Sequence, residues 1–162
     1  MLRLARLDPL ARLPQPQQVD LIELAQRVVA GMRDASPLVR LDLDVREDDR
    51  VEIEGDPDLL EVALRNLIDN ALRYAPERSE ITVFLDRGEH GAVLGVRDNG
   101  PGVDSEELPR LMERFYRGKS VTAEGSGLGL TIVSRIAELH RAVLELTNRD
   151  GGGFEARLRW LD

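Results

Sequence analysis

The chain has 162 residues, of which 42% are hydrophobic, 32% charged and only 4% aromatic. That is the balance of a globular domain with an aliphatic core, able to fold without covalent or metal staples. There is no Cys and there are two His, so disulfides and thiolate chemistry are excluded and a His-built metal site is disfavoured. The net charge is −8; no basic face for nucleic acid is visible, and no apolar run approaches the ~20 residues of a membrane span.

In chain order, residues 2–8 look like the end of a helix, and their charge and shortness exclude a signal peptide. Leu13-Pro14-Gln15-Pro16-Gln17-Gln18 is a breaker, hence a linker or boundary. Asp20 can cap a helix running to about Ala35, with Leu21, Leu24, Val28 and Met32 inward. Leu41, Leu43 and Val45 alternate with Asp42 and Asp44 as in a half-buried strand, and Val51 and Ile53 suggest a short second one. Arg40 to Glu61 holds ten acidic residues and three Arg, which reads as a solvated strand–turn–strand edge. Asp56 and Pro57 open a helix to about Tyr74. Ile81–Leu85 and Ala92–Val96 read as paired strands. A Gly-rich polar stretch from Asp98 to Ser126 follows, with a short helix around Glu106 to Glu113. Leu128–Leu139 is a third long helix, and Val143–Thr147 with Phe154–Trp160 form a hairpin around Asp150-Gly151-Gly152-Gly153. The mixture of helices and hairpin-linked strands predicts a two-layer α/β sandwich, its mixed, mostly antiparallel sheet covered on one face by three helices. Neither His90, in a turn, nor His140, at a helix end, stands in a functional pattern, and both read as surface residues.

Three motifs carry chemistry. In the helix ending at Tyr74, Leu60, Leu64, Leu67, Ile68 and Ala71 share one side, while Asn66, Asn70 and Arg73 share an adjoining stripe at i, i+4, i+7. Such a stripe can hold a hydrated Mg²⁺ and phosphate oxygens; alone it reads more readily as polar residues on the surface of an amphipathic helix. Asp98-Asn99-Gly100-Pro101-Gly102 follows a strand. Asn-Gly is also a hairpin signal, but the next residues, Val103-Asp104-Ser105-Glu106-Glu107, start a helix. A strand-end carboxylate can accept a hydrogen bond from an amino group, and glycines let backbone approach a flat ligand. Gly125-Ser126-Gly127-Leu128-Gly129-Leu130 opens a helix whose N-terminus can face phosphate. It is not a dinucleotide fingerprint, because Leu130 stands where the last Gly belongs, and Glu113 rules out a P-loop ending in Gly118-Lys119-Ser120.

The order of these motifs, with Glu113-Arg114-Phe115-Tyr116-Arg117-Gly118 between the second and third, resembles the catalytic ATP-binding domain of sensor histidine kinases. The resemblance covers about residues 20–160 and matches that family's N, G1, F and G2 boxes. It implies a Bergerat-type sandwich and residues 14–162 as catalytic domain, with residues 1–13 as the remnant of a preceding dimerisation helix and linker. It implies ATP and Mg²⁺ as cofactors. Asn70 would ligate the metal with Asn66 assisting, Arg73 would lie near the phosphates and Tyr74 along the adenine. Asp98 would bind the adenine amino group, with Gly100 and Gly102 lining the base; Gly125, Gly127, Leu128 and Gly129 would meet phosphate. Arg117, Lys119 and Arg114 would belong to a lid over residues 103–126, Arg117 reaching the γ-phosphate.

The family's acceptor is a His in a separate helical hairpin, and neither His90 nor His140 has that context. The expected function is therefore donation of the γ-phosphoryl group to a separate dimerisation domain. A cognate response regulator follows, in the cytoplasmic part of an inner-membrane sensor, with no nucleic acid and no direct membrane contact by this part. Related ATPases place a Glu where Asn66 stands, and Asn is a poor general base. An anti-sigma-type serine kinase, or a nucleotide-binding module without transfer, are the other readings.

Overall fold

A computed structural model describes residues 16–35, 39–45, 50–74, 78–88, 91–100, 102, 128–150 and 152–161. The elements are β1 (Gln17–Asp20), α1 (Leu21–Met32) with a short 3-10 turn (Arg33–Ala35), β2 (Arg40–Asp44), β3 (Glu52–Gly55) and α2 (Pro57–Tyr74). After these come β4 (Glu80–Gly88), β5 (Gly91–Asp98), α3 (Leu128–Leu139), β6 (Ala142–Asn148) and β7 (Phe154–Trp160). The expected segments at 1–13 and 103–126 and the residue His90 lie outside the described residues.

The main sheet has five strands in the order β2-β4-β5-β7-β6. β2 runs parallel to β4, and the other pairs are antiparallel. One face is a set of apolar rows: Leu41 stands beside Ile81, Val83 beside Val96, Leu94 beside Leu158, and Leu144 beside Leu158. These residues are buried against the helices, which contribute Leu24 and Val28 from α1, Leu60, Leu64 and Leu67 from α2, and Leu130, Val133 and Ile136 from α3. The opposite face carries charge: Arg157 and Arg159 both bond Glu145, and Arg97 pairs with Asp44 while lying 4.8 Å above the Phe84 ring. The three-helix, one-face sandwich expected from the periodicities is thus present.

Two expectations are corrected. Gln17 and Gln18 form a strand with Val19 and Asp20, not a linker; Val19 is buried, and the strand pairs antiparallel with β3 in a separate two-stranded sheet. The acidic stretch is not a strand–turn–strand edge either. β2 joins the main sheet beside β4, whereas β3 pairs with β1. Between β3 and β4 runs α2, so β2 and β4 can be parallel neighbours only through a helical crossover. Asp20 caps α1 as anticipated, its Oδ1 accepting from the amides of Ile22 and Glu23.

Candidate functional site

Helix α2 carries the first motif, and its start is fixed twice. Asp56 Oδ1 accepts from the amides of Asp58 at 2.9 Å and Leu59 at 3.3 Å, satisfying two donors that the first turn leaves open. The Asp56 amide itself donates to His140 Nε2 at 3.0 Å. Because Nε2 accepts, the ring proton is on Nδ1, which faces the Ile136 carbonyl oxygen at 2.7 Å. His140 is 5% exposed, not the surface residue its helix-end position suggests. Gly55 is the reason: a Cβ there would lie 2.5 Å from the imidazole Cδ2, so the glycine lets β3 close over the ring. Burial lowers the His140 pKa from its ordinary value, more than the Ile136 carbonyl and the Asp56 charge raise it.

Further along α2, the stripe is as expected. Leu60, Leu64, Leu67 and Ile68 face the core, Asn66 and Asn70 are half-buried, and Arg73 is exposed. Asn66 Nδ2 donates to the Val62 carbonyl at 2.8 Å, which fixes the direction of its carboxamide oxygen. That oxygen points to α3: a Cβ at Gly129 would stand 3.4 Å from it. The helix carrying the first motif therefore meets the helix opened by the third. Leu128 is the first residue of α3. The side chain of Tyr74, and Arg114, Phe115, Arg117, Lys119, Gly125 and Gly127, lie outside the described residues.

The second motif sits at the end of β5. Asp98 continues the inward row of Leu94 and Val96 and is 9% exposed. It thus places a carboxylate on the face that α2 covers. Its Oδ1 accepts from the amides of Gly100 at 2.9 Å and Phe154 at 3.3 Å; among the described residues none donates to Oδ2. On the other side, Asn99 exchanges two bonds with Glu80, its amide donating to the Glu80 carbonyl and its Oδ1 accepting from the Glu80 amide. Asn99 therefore ties the loop to β4 and does not turn a hairpin. Gly102 has φ +78 and lies against Asn148 and the Gly153 carbonyl.

The β6–β7 turn is a part of this loop's support that the sequence did not disclose. Arg149 Nη1 donates to the Asp98 carbonyl at 2.9 Å. The turn follows the second motif by some fifty residues, and a Gly-rich hairpin tip alone gives no sign of where it will rest; the register of β7 on β5 is what puts it there.

The donor set fits a magnesium ion that arrives with a phosphate ligand. Asn66 and Asn70 offer carboxamide oxygens, and Mg²⁺ keeps several waters while taking one or two protein oxygens. Among the described residues no group of three His, Cys, Asp or Glu side chains could hold a resident ion.

Against known proteins, residues 55–162 match the family model described as histidine kinase-, DNA gyrase B- and HSP90-like ATPase. The chain belongs to that family. Within it the chain is a catalytic domain of the sensor histidine kinase type. It is 43% identical over 164 residues to the sensor protein QseC of Escherichia coli strain K12, and 38% identical over 160 residues to the sensor kinase PmrB of Pseudomonas aeruginosa. These alignments take in 99% and 98% of the chain but 35% and 33% of the relatives, so the chain spans about a third of their length. Among solved structures, the cytoplasmic segment of QseC superposes with a TM-score of 0.70 at 32% identity, covering 99% of this chain and 87% of that one. Full-length ShkA in complex with AMPPNP gives a TM-score of 0.77 at 25% identity, covering 96% of this chain and 33% of that one.

Proposed function

We propose that the chain binds Mg-ATP and supplies its γ-phosphoryl group to a histidine on a separate dimerisation and phosphoacceptor domain. The observation that carries the nucleotide reading is Asp98. It is a carboxylate on the inward row of the central strand, held through one oxygen by two backbone amides, with no described residue donating to the second oxygen. The 6-amino group of adenine can donate to it, and the 6-oxo group of a hypoxanthine base cannot. Gly100 and Gly102 would line the base, with Tyr74 as the sequence's candidate to lie along it.

The contact between Asn66 and Gly129 supports placing the phosphates where α2 meets the start of α3. A helix N-terminus and its dipole favour anions, and Gly125, Gly127 and Leu128 of the third motif are the residues that would meet them. Asn70 and Asn66 would hold the magnesium ion, which offsets charge on the transferred phosphoryl group. Arg73, Arg117 and Lys119 add positive charge, Arg117 at the γ-phosphate. In the transfer, an imidazole nitrogen of the acceptor bonds to the γ-phosphorus while the bond to the β–γ bridging oxygen breaks and ADP leaves. Asn66 is a poor general base, so water is not activated in place of the acceptor. The greater length of the QseC and PmrB relatives supports a longer sensor, its kinase part cytoplasmic and its membrane part elsewhere, with a response regulator as the next acceptor.

Calorimetric titration with Mg-ADP tests the site. Asp98→Asn keeps the Oδ1 acceptor but turns an N–H₂ toward the base, and a loss of ~1–3 kcal/mol is expected; equal affinity removes Asp98 from the site. Incubation with γ-labelled ATP tests the transfer. Label is expected only after a His-bearing hairpin domain is added, and acid-labile label on His90 or His140 of the chain alone would overturn it.

A further inference from the structure

The turn between β6 and β7 does more than connect them. The β5–β7 ladder runs from Val93 opposite Arg159 to Arg97 opposite Glu155 and stops one residue short of Asp98. At that next position the turn takes over from the strand. The Phe154 amide leaves the ladder and donates to the Asp98 carboxylate at 3.3 Å, and the Arg149 guanidinium donates to the Asp98 carbonyl at 2.9 Å. Gly153, at φ +104, presses so close that a Cβ there would overlap the same carbonyl oxygen. The turn is itself closed: the Arg149 amide donates to the Gly153 carbonyl at 2.9 Å, and the Gly152 amide donates to the Arg149 carbonyl at 3.2 Å. Arg149 is thus held at its own backbone while its half-buried side chain reaches the residue proposed to read the base.

We infer that Arg149 is a positioning residue for base selection. It fixes the main chain of Asp98 on the side that β7 no longer pairs, β4 holding the other side opposite Ile81, and so fixes the direction of the carboxylate oxygen to which no described residue donates. The inference rests on the reading that Asp98 takes the base. A carboxylate that can swing still attracts a 6-amino group, but it no longer meets it at the distance and angle that a strong hydrogen bond needs. What is lost is discrimination between an amino and an oxo substituent, because the oxo group is itself an acceptor and cannot donate to the carboxylate in either case.

The test is the ratio of affinities for Mg-ADP and Mg-IDP, measured by calorimetry on the full chain. Arg149→Ala is expected to lower this ratio about tenfold, through ADP, with IDP nearly unchanged; tenfold is the scale of one charge-assisted hydrogen bond. Arg149→Met, which keeps the aliphatic stem and removes the donors, is the second variant and is expected to behave alike if the Ala form does not fold. A role confined to stability would lower the melting temperature and leave the ratio as in the wild type, and that result overturns the inference. Asp98→Asn is measured in parallel. If it leaves the ratio unchanged, the reading of Asp98 fails and the inference with it; if it collapses the ratio while the Arg149 variants keep theirs, the inference alone fails.

Discussion

The two ends of helix α2 are built to opposite plans. At its N-terminus the polar groups are turned on the molecule itself: Asp56 caps two amides, and the Asp56 amide is taken by a buried imidazole. Toward its C-terminus Asn66 and Asn70 are half-buried and Arg73 is exposed, on a stripe beside the core-facing leucines. The helix is anchored at one end, and at the other it carries the side chains proposed to meet the ligand, Asn66 among them already bonded through Nδ2 to the Val62 carbonyl. Changes at the anchored end should therefore cost stability, and changes at the other end should cost binding.

The largest effect expected is on stability. His140→Ala removes a buried ring and leaves the Asp56 amide and the Ile136 carbonyl without partners, a loss of about 2–4 kcal/mol. Chemical denaturation reads this, and ADP affinity at a temperature where the variant is folded should stay near the wild-type value. If affinity fell in step with stability, the two ends would not be separable. Asn70→Ala should do the converse. Its thermal midpoint should barely move, while the gain in ATP-analogue affinity on adding magnesium should be mostly lost in paired titrations. A gain that persists would take Asn70 out of the metal site.

A milder probe of the anchor is Asp56→Ala, which removes the cap at a cost of about 1 kcal/mol, read from the urea midpoint. The smallest effect is that of pH. His140 has a lowered pKa in the fold because burial disfavours its charged form. The unfolded chain therefore takes up the proton first, so the stabilisation is complete above the ordinary value of 6.5 and is lost as pH falls through the lower folded value. Between about pH 7 and about pH 5.5 this is about 1 kcal/mol or less. Urea midpoints should fall more steeply on the acid side for the wild type than for His140→Gln; parallel curves would mean that the ring is not held neutral.

Elements whose boundaries are set locally were legible in the sequence. Asp20 and Asp56 are capping residues ahead of apolar runs at helical spacing, and both cap the helices they precede. The strand-end position of Asp98 was legible too, because Val103-Asp104-Ser105-Glu106-Glu107 has the residues of a helix start and not of a return strand. What escaped was set by pairing at a distance. The strand at Gln17 contains a single buried apolar residue, Val19, and exists through its register with Glu52–Gly55. The burial of His140 depends on a glycine in β3, and the role of Arg149 depends on where β7 stops along β5. In each case the deciding partner lies far along the chain, beyond the reach of spacing rules.

β5 is the third of five strands, hydrogen-bonded on both sides, and Asp98 is its last residue. An amide in such a strand exchanges with solvent only when the sheet parts, so exchange at Val93, Leu94 and Val96 should approach the rate set by global unfolding. The small β1–β3 sheet can open on its own and should exchange sooner. The residue proposed to read the base therefore stands at the end of the slowest-exchanging strand in the molecule, and with Arg149 in place base selection should hold steady up to the edge of the melting transition.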